Sequence, residues 1–180
     1  MTEPGEGVLF APQDHAGLFR RFFIVAVDGS VVLGAAVALA FLHDAFPDQI
    51  WADPDVLTWT WIALVWGYLV PMEAWVGTVG FLLAGVRIST LTGGRPSLGT
   101  MTFRLLLWIF GPLNALVDFI YLGGDPFRQT LRDKLAGTLV VRRGASPVGR
   151  GRVRLKRITL LGFVSLAAWE VDPATQGAGT

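Results

Sequence analysis

Asp28 stands inside an otherwise uncharged apolar run, Phe22 to Leu42, and a carboxylate in that setting is the first residue whose chemistry needs explaining. In hydrocarbon an unpaired carboxylate costs about 2.5–3.5 kcal/mol on insertion scales, so such a group is paired, protonated or wetted. Arg20 and Arg21 precede it by about two helical turns on roughly the same face, too far for full contact within one helix. A partner from another segment is therefore expected. Two roles stay open: a proton or cation site, or a buried ion pair that fixes helix contacts.

A second set of polar groups interrupts the apolar stretch Met101 to Leu122: Arg104, Asn114 and Asp118, with Gly111-Pro112 at its middle. Asn114 and Asp118 are one turn apart and share a helix face. The Gly-Pro break frees backbone carbonyls, which either line an ion site or are satisfied by Asn114 at a kink. Glu73 ends another apolar run and reads as an interfacial charge facing Arg20 or Arg87.

Much chemistry is excluded. The chain has no cysteine, hence no disulfide, thiol nucleophile or thiolate metal site. His15 and His43 lie far apart, so no metal or other cofactor is expected. Gly93-Gly94-Arg95-Pro96-Ser97 lacks the Gly-Lys-Ser/Thr of a phosphate loop, and Asp53-Pro54-Asp55 lacks calcium-loop spacing. No Ser-His-Asp set or paired-carboxylate arrangement follows from spacing, and an enzyme is not expected. With a net charge of +1, no nucleic-acid partner is expected either.

The elements that must position these residues are mostly membrane helices. Hydrophobic residues make up 52% of the chain and charged residues 16%, against roughly 25% charged in soluble domains. Phe22 to Leu42 is long enough to cross about 30 Å of hydrocarbon at 1.5 Å per residue. A basic pair before it and Ala38-Leu39-Ala40 within it resemble a cleaved signal, but Asp28 and the later apolar runs favour a retained span. Val56 to Met72 is a second span flanked by Trp59, Trp61 and Trp75, as in interfacial belts. An acidic loop with Asp44, Asp48, Asp53 and Asp55 joins the two. Ala74 to Val86 reads as a helix along or just below the interface. Met101 to Leu122 is either a re-entrant hairpin broken at Gly111-Pro112 or a third full span.

Val86 to Thr90 and Ala136 to Val141 read as short strands, Thr92-Gly93-Gly94 as a turn, and Pro96-Ser97 as a helix start. Residues 1–16 read as a disordered tail. Residues 144–180 read as a basic tail whose apolar patch, Ile158 to Trp169, is too short to span and suits an interfacial helix or loose packing. Of the 15 Lys and Arg residues, none lies in the acidic loop and ten lie between Arg128 and Arg157. The positive-inside rule puts the N-terminus in the cytoplasm and the acidic loop outside, and favours the hairpin, which keeps the basic segment inside. The two strands can pair only if both lie on one side.

Several stretches together carry a family resemblance. Ala16-Gly17-Leu18-Phe19-Arg20-Arg21-Phe22 leads to Asp28; Gly93-Gly94-Arg95-Pro96-Ser97-Leu98-Gly99 precedes Arg104; and Leu131-Arg132-Asp133-Lys134-Leu135-Ala136-Gly137-Thr138-Leu139-Val140-Val141 follows. Over residues 16–143 the chain resembles the RDD family, named for one arginine and two aspartates. The resemblance implies that Arg20 or Arg21 is the arginine, Asp28 the first aspartate and Asp133 the second. One departure stands out: members often carry Gly-Lys before a Leu-Leu-Gly-Leu-Arg-Val stretch, and here Phe81 follows Gly80.

The resemblance also implies a multi-spanning membrane protein of mostly undefined activity, with cation/proton exchange suggested for some members. The expectation is a mainly α membrane protein of the plasma or inner membrane, with two spans, a third apolar helical region and a small cytoplasmic β pairing over residues 17–143. Its candidate functional residues are Arg20, Arg21, Asp28 and Asp133, with Arg104, Asn114 and Asp118 secondary. Its expected partners are the bilayer, further copies of itself, and anionic lipid at the basic tail. Passage of a cation, proton or small ligand is one functional expectation; a non-transporting membrane scaffold is the other.

Overall fold

A computed structural model describes residues 5–46, 53–110, 118, 120–122, 127–160 and 164–173. Two long helices rise from a small β region. Helix α1, Leu18–Ala45, contains the whole first apolar run. Helix α2, Pro54–Pro71, starts at Asp53, whose side chain accepts the Asp55 N–H, and has Pro at its first position, where no intrahelical N–H is needed. Both leave large apolar side chains uncovered: Leu33, Val37 and Phe41 on α1, and Trp59, Ile62 and Leu64 on α2, are all exposed. Such faces suit lipid, not water.

Pro71 ends the regular part of α2. A single π-type turn, Met72–Val76, follows, in which the Gly77 N–H reaches the Met72 carbonyl. Gly77 then takes φ +97°, open to glycine alone at low cost, and the chain re-enters a helix as α3, Val79–Ala84. The apolar stretch counted as the second span thus continues to Ala84 through a break. Its last part, α3, packs against α1.

Beyond α3 come β2, Val86–Thr90, helix α4, Leu98–Leu106, and a 3-10 turn, Leu107–Phe110. Ser97 caps α4 by accepting the Thr100 N–H at 3.1 Å. Helix α5, Leu131–Ala136, ends at Gly137 (φ +64°) and leads into β3, Thr138–Arg142. β2 and β3 pair antiparallel from Val86↔Arg142 to Thr90↔Thr138, so both lie on one side, as the hairpin reading requires. Gly111, Pro112 and Asn114 lie outside the described residues, and with them the expected break.

Two expectations need correcting. In the stretch read as a disordered tail, Glu6–Leu9 forms strand β1, and His15 bridges to Val141. In the stretch read as a basic tail, Gly149–Leu160 and Val164–Pro173 form a long hairpin, β4 and β5, instead of an interfacial helix. The reason is visible in β4, where Arg150, Arg152, Arg154 and Lys156 alternate with Gly151, Val153 and Leu155. That is the period of a strand with one polar face. β1 pairs with β4, giving the order β1-β4-β5, so strands far apart in the sequence sit side by side. Phe10, Leu91, Val141, Val153 and Val171 fill the core between the sheets. Ile24, Val70, Phe81, Met101 and Val140 fill the one between sheet and helices.

Candidate functional site

The sheet ends of α1 and α2 meet α3, α4 and α5 around a group of buried charges. Asp133, at the third position of α5, is fully buried. It closes a capping box with Thr130, each side chain accepting the other's backbone N–H. One oxygen also takes the Arg21 guanidinium at 2.7 Å, and the other takes Arg104. Arg104 in turn donates to the Thr138 hydroxyl, and Arg21 to the carbonyls of Ala16 and Arg128. Burial opposes ionisation of Asp133, but the Arg21 and Arg104 guanidiniums and the Thr130 N–H outweigh it. Together they hold the carboxyl well below the usual carboxylate range. Arg21 is thus the arginine that joins the cluster; half-buried Arg20 takes no part in it.

Asp28 is bound quite differently from the expectation. No ion pair to Arg20, Arg21 or any other cation reaches it among the described residues. Instead the Tyr68 hydroxyl donates to Oδ1 at 2.7 Å, the Thr78 hydroxyl to Oδ2 at 2.6 Å, and the Gly80 N–H to Oδ1 at 2.9 Å. The Val79 N–H donates to the Tyr68 oxygen. Asp28 thus satisfies the start of α3, which the break after α2 left open, and ties α1, α2 and α3 together. The approach is close: a Cβ on Gly80 would meet Asp28 Oδ2 and the Ile24 carbonyl oxygen, each at 2.8 Å.

Asp118 is buried and takes Arg132 through both its backbone N–H and its guanidinium, which also lies 4.6 Å from the Trp108 ring centre. Asn114, its expected neighbour, lies outside the described residues.

These groups border a cavity of about 320 Å³ between α1, the end of α2, α3 and α4. Arg21, Asp28, Arg104, Asp118 and Arg132 line it, and so does Glu73 in the π-type turn. Apolar side chains make up the rest of the wall, among them Ile24, Leu69, Phe81, Met101 and Trp108. Glu73 therefore does not face Arg20 or Arg87. The cations that act on it are Arg104 and Arg132, yet it forms no hydrogen bond or ion pair among the described residues. Phe81, where the resemblance led to expect lysine, presents an apolar ring to the same space. Among the described residues no three His, Cys, Asp or Glu side chains converge as metal ligands.

The sequence brought Arg21, Asp28, Arg104, Asp118 and Asp133 into consideration, with Arg104 beside Arg20 and Arg87 among the arginines that Asp133 could clamp, but not their other pairings. It missed Tyr68, Thr78, Arg132 and the position of Glu73. Tyr68 had a signal, a phenolic hydroxyl deep in an apolar span; Thr78 had another, a helix cap just after a glycine.

No curated protein and no solved structure matches the chain. A family model does: that of the RDD family matches residues 15–137, from the bridge at His15 to the glycine that ends α5. The stretch includes every member of the buried charge group just described, and on that match the chain belongs to the RDD family.

Proposed function

We propose that this chain is a multi-pass protein of the plasma or inner membrane that holds a proton, small cation or small ligand in the charge-lined cavity and passes it across the bilayer as an oligomer. Glu73 is the observation that carries the reading. Asp28, Asp118 and Asp133 are each tied to donors or guanidiniums, whereas Glu73 is on the cavity wall with no such bond among the described residues. A carboxylate so placed takes up a proton or a cation to lower its cost in the membrane. Two spans enclose no pathway by themselves, hence the oligomer.

Pairing and charge together support an orientation. β1 against β4 and β2 against β3 favour a reading in which all these strands share one side of the membrane. An even number of full crossings fits that reading: α1, then α2 with α3, with the later apolar region re-entrant. By the positive-inside rule, the ten basic residues from Arg128 to Arg157 favour the cytoplasm for that side.

The test is proton flux in proteoliposomes under imposed gradients of several cations, with Glu73→Gln beside the parent chain. Flux that falls to the level of empty vesicles in the variant supports the reading. Absence of flux from the parent chain in every cation sinks it.

A second reading has its own support. Asp28 and Asp133 both act as internal fasteners, as in a non-transporting scaffold. The basic face of β4 would then hold anionic lipid, at about 1 kcal/mol per Lys or Arg near the surface. Binding to anionic vesicles without flux favours this reading. Neither reading involves a reaction.

A further inference from the structure

We infer that the cavity is a binding site for a small organic ammonium ion with an apolar body, and that Glu73 is its counter-ion. The inference rests on the proposal that the cavity holds a ligand, and it names the class.

Charge balance is the first argument. Among the described residues, the guanidiniums of Arg21, Arg104 and Arg132 face the carboxylates of Asp28, Glu73, Asp118 and Asp133, so one negative charge is left over. The geometry says where it resides. Arg21 and Arg104 share Asp133, Arg132 takes Asp118, and Asp28 is held by three neutral donors at the start of α3. Of these four carboxylates, Glu73 is the one that accepts from no donor among the described residues. An uncompensated carboxylate beside hydrocarbon is costly, and a monovalent cation in the cavity removes that cost.

The walls select the body of the ligand. A metal ion wants about six oxygens around it, and no three ligating side chains converge here among the described residues. The apolar wall of Ile24, Leu69, Met101 and Trp108 instead suits hydrocarbon, removed from water at about 25 cal/mol per Å². At about 320 Å³ the cavity is at the small end of ligand sites, which span roughly 300–1,000 Å³.

Gly29 supplies a way to close the cavity without touching a charge. It lines the space from α1, and a Cβ built on it meets nothing within 4 Å. Gly29→Leu therefore adds bulk at the rim of the cavity on α1 and also favours the helix.

The experiment measures binding of 2-amino-1-phenylethanol and of 1-phenyl-1,2-ethanediol, in which a hydroxyl replaces the ammonium. Protein is held in nanodiscs of neutral phosphatidylcholine, and titration calorimetry gives the affinities. Thermal melting confirms that each variant is folded. The parent chain is expected to bind the ammonium compound saturably and about tenfold or more tighter than the diol, a difference of about 1.4 kcal/mol. Glu73→Gln should abolish that preference and keep the diol affinity; Gly29→Leu should weaken both compounds. The inference is overturned if the parent chain shows no saturable ammonium binding, if the preference survives Glu73→Gln, or if Gly29→Leu changes nothing. Because binding is read without flux, ammonium binding with no transport would sink the transport proposal and leave this site standing. Cation flux without ammonium binding would do the reverse.

Discussion

Arg21, in the first turn of α1, and Asp133, in the first turn of α5, form a buried ion pair at 2.7 Å. The pair joins the first membrane helix to the segment that leads into β3. Arg104 holds the other Asp133 oxygen, so one carboxylate fixes three helices relative to one another.

Removing that carboxylate leaves two guanidiniums buried without a counter-charge. Asp133→Ala should lower stability by about 3–5 kcal/mol, the usual cost of breaking a buried pair from one side. Thermal unfolding in detergent, followed by tryptophan fluorescence, measures it. Arg20→Ala is the control and should change stability by less than about 1 kcal/mol. Equal losses at both positions would contradict the assignment of Arg21 as the partner of Asp133.

Acid should reach the same pair. The folded-state pKa of Asp133 lies below its ordinary value, so its contribution is fully present above the unfolded-chain value near 3.8. It is lost progressively as the pH falls below that value toward the depressed folded pKa. The melting temperature of the parent chain should therefore drop as the pH falls below about 4. Asp133→Asn, already weaker at neutral pH, should show a smaller drop over the same range.

Asp28 and Gly80 should behave as one joint. Gly80→Ala forces a Cβ to within 2.8 Å of both the Asp28 carboxylate and the Ile24 carbonyl. A loss of about 1–3 kcal/mol is expected from overpacking. Asp28→Asn places an amide N–H₂ among donors and should cost about 1–3 kcal/mol. The double variant should lose less than the sum, because each change disrupts the same contact. Additive losses would separate the two residues.

Ser146 is exposed in the turn between β3 and β4, and the chain has no native cysteine. Ser146→Cys in cells should therefore resist a membrane-impermeant thiol reagent until the membrane is opened. Prompt labelling of intact cells would put the sheets outside and reverse the proposed orientation.

The first apolar run was legible because length and hydropathy alone decide it. The strand pair β2–β3 was legible from alternation, and the family motifs marked Asp28 and Asp133 as residues of interest. What Asp28 touches was not legible. Its partners Tyr68, Thr78 and Gly80 belong to another helix and to the start of a third, brought near by the turn after Pro71. A charge in a span suggested a charged partner, whereas three neutral donors do the same work. Glu73 was misplaced for a related reason. A charge at the end of an apolar run usually faces the interface, and only the π-type turn directs this one to the cavity. The β4–β5 hairpin was in the sequence as alternation, but a test for membrane-spanning length is blind to a period of two.

The pairing of β1 with β4 also dictates an order of events during synthesis. Glu6–Leu9 leaves the ribosome well ahead of its partners Gly149–Arg152, with both long helices made in between. At roughly 5–20 residues per second the first strand waits on the order of ten seconds without a neighbour. A strand made before the helices therefore settles after them. A nascent chain stalled before β4 would carry both long helices but not the clasp that β1 and β4 form.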